Sequence, residues 1–194
     1  MSAVLTVQSK GNQSPLRGSQ MATPQLIEAA QDVLLQGLGL LFELGDHTYS
    51  RAVRAPYNAS IGQHYRHVLD HFQCLIRGLR SREINYDARE RNARIESEVT
   101  YASILTCDVL RSLKGWDEKT LNSQCKVQTS VSYSSTPTGT VDSNVARELS
   151  YCVAHAIHHY AIMRLICTEL GINVPAEFGY APSTFKHISS LAAD

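Results

Sequence analysis

Histidine side chains are concentrated in two short stretches of this chain, which contains eight histidines in 194 residues. A helix turns about 100° per residue, so positions three, four and seven apart share one face. If both stretches are helical, each places imidazoles along the edge of an apolar face, where neighbouring helices can bring them together. The first group is His64, His67 and His71, and the second is His155, His158 and His159.

The pair His155 and His159 has the spacing of metal ligands. Residues four apart in a helix direct both imidazoles at one ion, as in the H-E-x-x-H motif of metalloproteases. Ala156 stands where that motif carries its general-base glutamate, so protease activity is disfavoured. His158 points away from the pair. Two explanations stay open, a metal site shared by the two helices or ordinary half-buried histidines that form hydrogen bonds.

Acidic residues accompany both histidine groups. Glu148 lies seven residues before His155 in the same row, either as a further ligand or, more ordinarily, as a solvated acid that stabilises the helix N-terminus. Asp70 is interpreted as a support for a ligand or as an ion-pair partner of Arg66. The residues to which we assign a supporting or proton-transfer role as a hypothesis are His64, His71, Glu148 and Asp70.

Four amphipathic segments are expected to position these side chains. Thr23-Pro24 opens a helix that covers 26–44 and ends at Gly45, and Ser60 and Gln63 form a capping box for a helix that ends near residue 80. Helical spacing returns over 95–113 and over about 144–170, where Asp142-Ser143 is the predicted cap and Gly171 the predicted end. Apolar and polar residues alternate over 125–141, which predicts a short β-hairpin or an extended crossover.

These segments predict an all-α fold, a four-helix bundle with the hairpin or crossover before its fourth helix. Residues 23–194 are expected to form a single domain, and residues 1–22 a disordered polar tail. Dimerisation is a further expectation, since bundles of this size often pair.

Composition excludes several classes of partner. Hydrophobic residues make up 43% of the chain, and Lys+Arg and Asp+Glu are 18 each, so no net charge attracts nucleic acid or anionic membranes. No apolar run has the length of a membrane span. Five cysteines without a C-x-x-C pair favour reduced thiols and a cytoplasmic location. Organelle targeting through residues 1–20 is the weaker alternative.

The histidine segments resemble the DinB-like family of metal-dependent proteins. The resemblance lies in the S-I-G-Q-H-Y-R-H-V-L-D-H sequence of residues 60–71 and the H-A-I-H-H-Y sequence of residues 155–160, and it extends over about 25–170. It implies a four-helix bundle of up-down-down-up topology with metal ligands His67, His155 and His159, and His64 or His71 as an alternative or additional ligand beside His67. Many relatives read H-R-G-Q from the last ligand onward, where this chain reads H-Y-A-I, which indicates a divergent branch.

The resemblance implies a metal-dependent enzyme, since some members of that family transfer low-molecular-weight thiols or use them as cofactors. Three imidazoles leave coordination positions open and suit Zn, Ni or Fe alike. The predicted function is therefore activation of a thiol or water on a small-molecule substrate, as in a thiol transferase or a hydrolase. The alternatives are a metal- or small-ligand-binding bundle without turnover and a purely structural bundle. The catalytic residues and the substrate cannot be read from the sequence.

Overall fold

The computed structural model describes residues 23–54, 58–130, 132–133 and 139–191. This part of the chain forms eight helices and one sheet of three strands. The predicted tail, residues 1–22, and most of the predicted turn at 136–139 lie outside the described residues.

Four of the helices have 16 or more residues and begin or end close to the predicted segments. These are α1 (Thr23–Phe42), α3 (Ile61–Ser81), α5 (Val99–Lys114) and α7 (Val145–Leu170). The remaining elements are shorter: α2 (Asp46–Ser50), α4 (Ala93–Ser97), α6 (Glu118–Leu121), α8 (Pro182–Leu191), β1 (Glu83–Asn85), β2 (Gln124–Gln128) and β3 (Val141–Asn144).

The sheet has the strand order β1-β2-β3 and is mixed. Strand β1 pairs parallel with β2, with Ile84 opposite Val127, whereas β3 pairs antiparallel with β2, with Cys125 opposite Ser143. The prediction of an all-α, up-down-down-up four-helix bundle is therefore wrong. Strand β1 has three residues, too few to show alternation, and its partner lies about 40 residues further along the chain, so local sequence patterns cannot reveal the pairing.

The predicted third helix is divided in two by a break at Glu98. Its backbone is extended, with φ −117° and ψ 103°, and separates α4 from α5. The side chain of Asp46 accepts a hydrogen bond from the backbone N–H of Val99 at 2.8 Å, which satisfies a donor at the start of α5. Because that oxygen comes from a distant residue, the sequence around 98 does not show the break.

The two helices that carry the histidines begin with side-chain caps. The predicted capping box of α3 is confirmed, because Ser60 Oγ accepts from Gln63 N–H and Gln63 Oε1 accepts from Ser60 N–H, each at 3.1 Å. In α7 the cap is Asn144, whose side chain accepts from Arg147 N–H at 2.9 Å. The predicted cap at 142–143 is wrong, since the capping side chain is that of the next residue, Asn144.

Helices α3 and α7 pack directly against each other, and α1 packs against both α5 and α7. Tyr65 of α3 and Tyr160 of α7 are fully buried, and Phe178 stacks on Tyr160. The cysteines are free thiols, and four of the five are buried. Among the described helices, none combines the length and the apolar character that a membrane crossing needs.

Candidate metal centre

Packing of α3 on α7 brings together the three histidines that the resemblance singled out. One nitrogen from each of His67, His155 and His159 lies within 4.8 Å of the other two. The three ring centroids are separated by 4.5 to 4.9 Å. All three side chains are partly buried at the contact between the helices. The candidate site is therefore an inward-facing cluster and not a surface patch.

The imidazoles of this cluster are held in the neutral form. Burial, followed by the charges of neighbouring histidines and of Arg89, lowers the pKa of His67 to about 2. Burial is also the first cause for His155, whose pKa falls to about 4, and for His159, whose pKa falls to about 3. At neutral pH each ring therefore keeps a lone pair, which is the form that coordinates a metal.

His64 and His71 join the cluster at its two ends. His64 Nδ1 lies 2.9 Å from His159 Nδ1, and its Nε2 atom is buried without a hydrogen-bond partner in the described part of the chain. His71 is buried, and its ring centroid lies 4.0 Å from that of His155. His71 Nδ1 donates to the backbone oxygen of His67 at 2.9 Å, so its Nε2 atom is left as the acceptor. Burial lowers the pKa of both His64 and His71.

His158 differs from its neighbours in being exposed to solvent, as its helical position predicts. Its ring makes an edge contact with His159, with centroids 5.4 Å apart, and it lies outside the group of three converging nitrogens. It offers a matched control for substitutions in the cluster.

Glu148 is buried and fully hydrogen-bonded, so its interpretation as a solvated acid is wrong. Its Oε2 atom accepts from Tyr86 Oη at 2.9 Å, and its Oε1 atom accepts from Ser143 Oγ at 2.6 Å and from Arg147 Nη1 at 3.0 Å. It reaches the cluster indirectly, because the ring of Tyr86 stacks on His71 with centroids 5.2 Å apart. Glu148 therefore orients the tyrosine and lies outside the group of ligand atoms.

Asp70 is also buried, and it pairs with an arginine and not with a histidine. Its Oδ2 atom accepts from Arg66 Nη1 at 2.9 Å. The same guanidinium reaches Glu96 at 2.7 Å and so ties α3 to α4. Burial raises the pKa of Asp70, against the opposing influence of Arg66 and Arg89. Its observed contact is therefore the ion pair with Arg66, the residue that joins α3 to α4.

Arg89 is a component of the site that the sequence did not indicate. It lies in the connection between β1 and α4, and its Nη1 atom is 2.9 Å from Nδ1 of His67. Its Nε atom is buried without a hydrogen-bond partner among the described residues. Arg89 lies in a loop, where helical periodicity does not apply. The helical spacing that identified the histidines therefore could not identify this residue.

A cavity of about 450 Å³ adjoins the cluster on the side of the sheet. Tyr86 and Tyr151 line the cavity and also contact the histidines. The ring of Tyr151 stacks on His155 with centroids 5.5 Å apart, and the two tyrosine rings are 5.4 Å apart. Tyr151 precedes His155 by one helical turn, so the spacing that identified His159 could also have identified this residue.

The donor set fits a divalent transition metal. Two nitrogens at about 2.0–2.1 Å from a tetrahedral zinc are themselves about 3.3 Å apart. Nε2 of His67 and Nε2 of His155 are 3.0 Å apart, close to that separation. The three donor nitrogens all lie within 4.8 Å of one another, so the third imidazole would have to approach the other two for tetrahedral coordination.

Comparison with known proteins shows a partial similarity. The chain is 36% identical over 105 residues to FK506-binding protein 5 of Rhizopus delemar, a match that covers 54% of this chain and 27% of that protein. The chain thus spans about a quarter of the relative's length, and the activity in that name belongs to the fungal protein. No family model matches the chain.

Proposed function

We propose that this protein binds a divalent metal ion through His67, His155 and His159 and uses it to activate a thiol or a water molecule. The observation that carries the proposal is the convergence of three neutral imidazole nitrogens from α3 and α7 within 4.8 Å. Nε2 of His67 and Nε2 of His155 face each other at 3.0 Å, so the contact between α3 and α7 already holds two of the three donor atoms side by side.

Three protein ligands leave coordination positions for a substrate, which is what distinguishes a catalytic from a closed structural site. An ion bound there supplies Lewis acidity that lowers the pKa of a thiol or of water. Imidazole ligands suit Zn, Ni and Fe, and we extend the proposal to any of these.

Two further histidines are placed to move protons in this proposal. His71 uses Nδ1 to donate to a backbone oxygen, so its Nε2 lone pair is free to accept a proton. His64 has a buried Nε2 atom without a partner in the described residues, beside His159. Burial lowers the pKa of both side chains, so both are neutral and each ring keeps a lone pair at pH 7.

The cavity beside Tyr86 and Tyr151 is the proposed binding place of the small-molecule substrate. Tyr86 and Tyr151 line this cavity, and their rings also contact His71 and His155 of the cluster. Its volume of about 450 Å³ is within the range of small-molecule sites.

The resemblance to the DinB-like family is part of the proposal for the site and rests on the sequence around His67 and His155. A cytoplasm-like reducing compartment is proposed as well, and the support for it is that all five cysteines are free thiols. A homodimer is compatible with the proposal and is not required by it.

The experiment that tests the proposal is metal analysis followed by an activity assay on protein purified without an affinity tag. We expect about one equivalent of metal per chain, and consumption of a low-molecular-weight thiol in the presence of an electrophile, lost on chelation and restored by adding the metal. Metal without turnover of thiols or hydrolysable esters favours the alternative, a non-catalytic binding protein. Absence of stoichiometric metal contradicts both.

A further inference from the structure

Both ring nitrogens of His67 are engaged. Nε2 faces Nε2 of His155 at 3.0 Å, and Nδ1 faces Nη1 of Arg89 at 2.9 Å. A guanidinium has five N–H donors, no acceptor, and no accessible neutral form. Arg89 therefore donates, and the Nδ1 atom of His67 is the acceptor.

Coordination of a metal by His67 is incompatible with this hydrogen bond, whichever nitrogen binds the ion. If Nε2 coordinates, the ring proton resides on Nδ1, where it meets the donor of Arg89. If Nδ1 coordinates, its lone pair is used by the metal. In both cases the guanidinium of Arg89 has to leave its present position, although it remains tethered beside the site.

The described residues provide no unpaired acidic side chain beside Arg89 for the displaced guanidinium. Among the described residues, no carboxylate lies within ion-pair distance of Arg89. Asp70 is already paired with Arg66, and the adjacent Glu90 is paired with Arg77. The Nε atom of Arg89 is buried and has no acceptor in the described part of the chain.

A loaded centre therefore combines a divalent cation, three uncharged imidazoles and an unpaired guanidinium in a partly buried space. Positive charge of this density is stabilised by an anion that contacts both the metal and the guanidinium. The forked N–H groups of arginine match the two oxygens of a carboxylate.

We propose that Arg89 is an anion-binding residue that recognises the carboxylate of a small-molecule ligand at the loaded metal centre. This inference rests on the proposed function and adds a substrate class to it. The same side chain acts as a cap on His67 when the metal is absent, so it competes with the ion in the empty protein and holds the carboxylate in the loaded one.

The substitution Arg89→Met then has two opposite effects. Loss of the cap should raise the affinity for Co²⁺ about tenfold, because a hydrogen bond from a charged donor no longer has to be broken. Loss of the guanidinium should lower the affinity of the cobalt-loaded protein for acetate at least tenfold. A merely structural arginine would shift neither affinity in this pattern.

The test measures visible absorption of the Co²⁺-loaded protein during titration with acetate, with acetamide as the uncharged analogue. We expect acetate but not acetamide to perturb the wild-type spectrum, Arg89→Lys to bind acetate with intermediate affinity, and Arg111→Met to match the wild type, since Arg111 is an exposed residue of α5. Circular dichroism verifies folding, and if Arg89→Met does not fold, Arg89→Lys decides.

Unchanged acetate affinity in the Arg89 variants, with cobalt still bound, would overturn the assignment of Arg89 and leave the metal site intact. Acetate that does not perturb the wild-type spectrum would overturn it as well. Failure of the wild type to take up cobalt would overturn the proposed function together with this inference, so the two failures are distinguishable.

Discussion

Nε2 of His67 and Nε2 of His155 lie 3.0 Å apart, although 88 positions separate the two residues in the chain. The contact exists because α3 and α7 pack side by side with their histidine rows facing inward. Each ring is uncharged there, since burial disfavours the imidazolium form. Two neutral rings at this distance share one proton between their facing nitrogens, and a metal ion that replaces this proton connects the same two helices.

The metal-free protein should lose stability in mild acid. In the unfolded chain these histidines titrate near pH 6.5, whereas in the folded chain the pKa values of His67, His155 and His159 are about 2, 4 and 3. Below pH 6.5 the unfolded state therefore binds more protons than the folded state. The contribution of these histidines to the free energy of unfolding is therefore fully present above about pH 7. It declines as the pH falls toward their lowered pKa values.

The expected loss between pH 7 and pH 5 is about 2–4 kcal/mol for the three rings together, after a reduction for their partial exposure to water. Urea unfolding in the presence of a chelator measures it. His155→Gln should reduce the dependence on pH, and His187→Gln, at an exposed histidine of α8, should leave it unchanged. Equal stability of the wild type at the two pH values would contradict the prediction.

Removal of the Glu148 carboxylate should destabilise the protein by about 2–4 kcal/mol. Glu148→Ala leaves the buried hydroxyl of Tyr86 and two further donors without their acceptor. Tyr86→Phe removes the hydrogen bond to Glu148 and a weaker contact with Cys152 Sγ at 3.8 Å, and it should cost about 1–2 kcal/mol. Urea unfolding tests both, with Glu169→Ala, an exposed acid of the same helix, as a control expected within about 0.5 kcal/mol of the wild type. A Glu148→Ala variant as stable as this control would refute the role assigned to the carboxylate.

Gly62→Ala and Gly39→Ala should have effects of opposite sign. A β-carbon at Gly62 would collide with the backbone oxygen of Glu96 in α4, and backbone cannot rotate out of the way as a side chain can. We expect a destabilisation of about 1–3 kcal/mol and weaker metal binding, because α3 has to shift with His67 on it. At Gly39 a β-carbon meets nothing within 4 Å, so alanine should stabilise α1 by about 0.5–1 kcal/mol. Thermal unfolding of the two variants compares them directly, and a loss at both positions would disprove the packing argument.

The parts of the site that the sequence predicts are those that follow a helical period. His155 and His159, four apart, and His64, His67 and His71 on α3 occupy the faces that the period of 3.6 assigns to them. The capping box at Ser60 and Gln63 was predictable for the same reason, since its two partners are three residues apart.

The remaining parts depend on contacts between distant segments. Arg89 reaches His67 from a loop, and Tyr86 reaches Glu148 across 62 positions, so neither contact leaves a local pattern. The strand Glu83–Asn85 depends on parallel pairing with β2, which its own sequence does not indicate. This is why an all-helical fold was predicted. The break at Glu98 is likewise coupled to Asp46 through a single hydrogen bond. Tertiary contacts of this kind override local propensity.

Metal binding by His67, His155 and His159 can be checked through the zinc content of three untagged proteins, the wild type, His155→Ala and His158→Ala, dialysed against the same Zn²⁺ concentration and then against metal-free buffer. We predict about one equivalent of zinc in the wild type and in His158→Ala, and less than a tenth of an equivalent in His155→Ala, because removal of one of three ligands lowers the affinity by orders of magnitude. Circular dichroism confirms that each variant is folded. Undiminished zinc in a folded His155→Ala protein, or equal losses in the two variants, would contradict the assignment of these histidines as metal ligands.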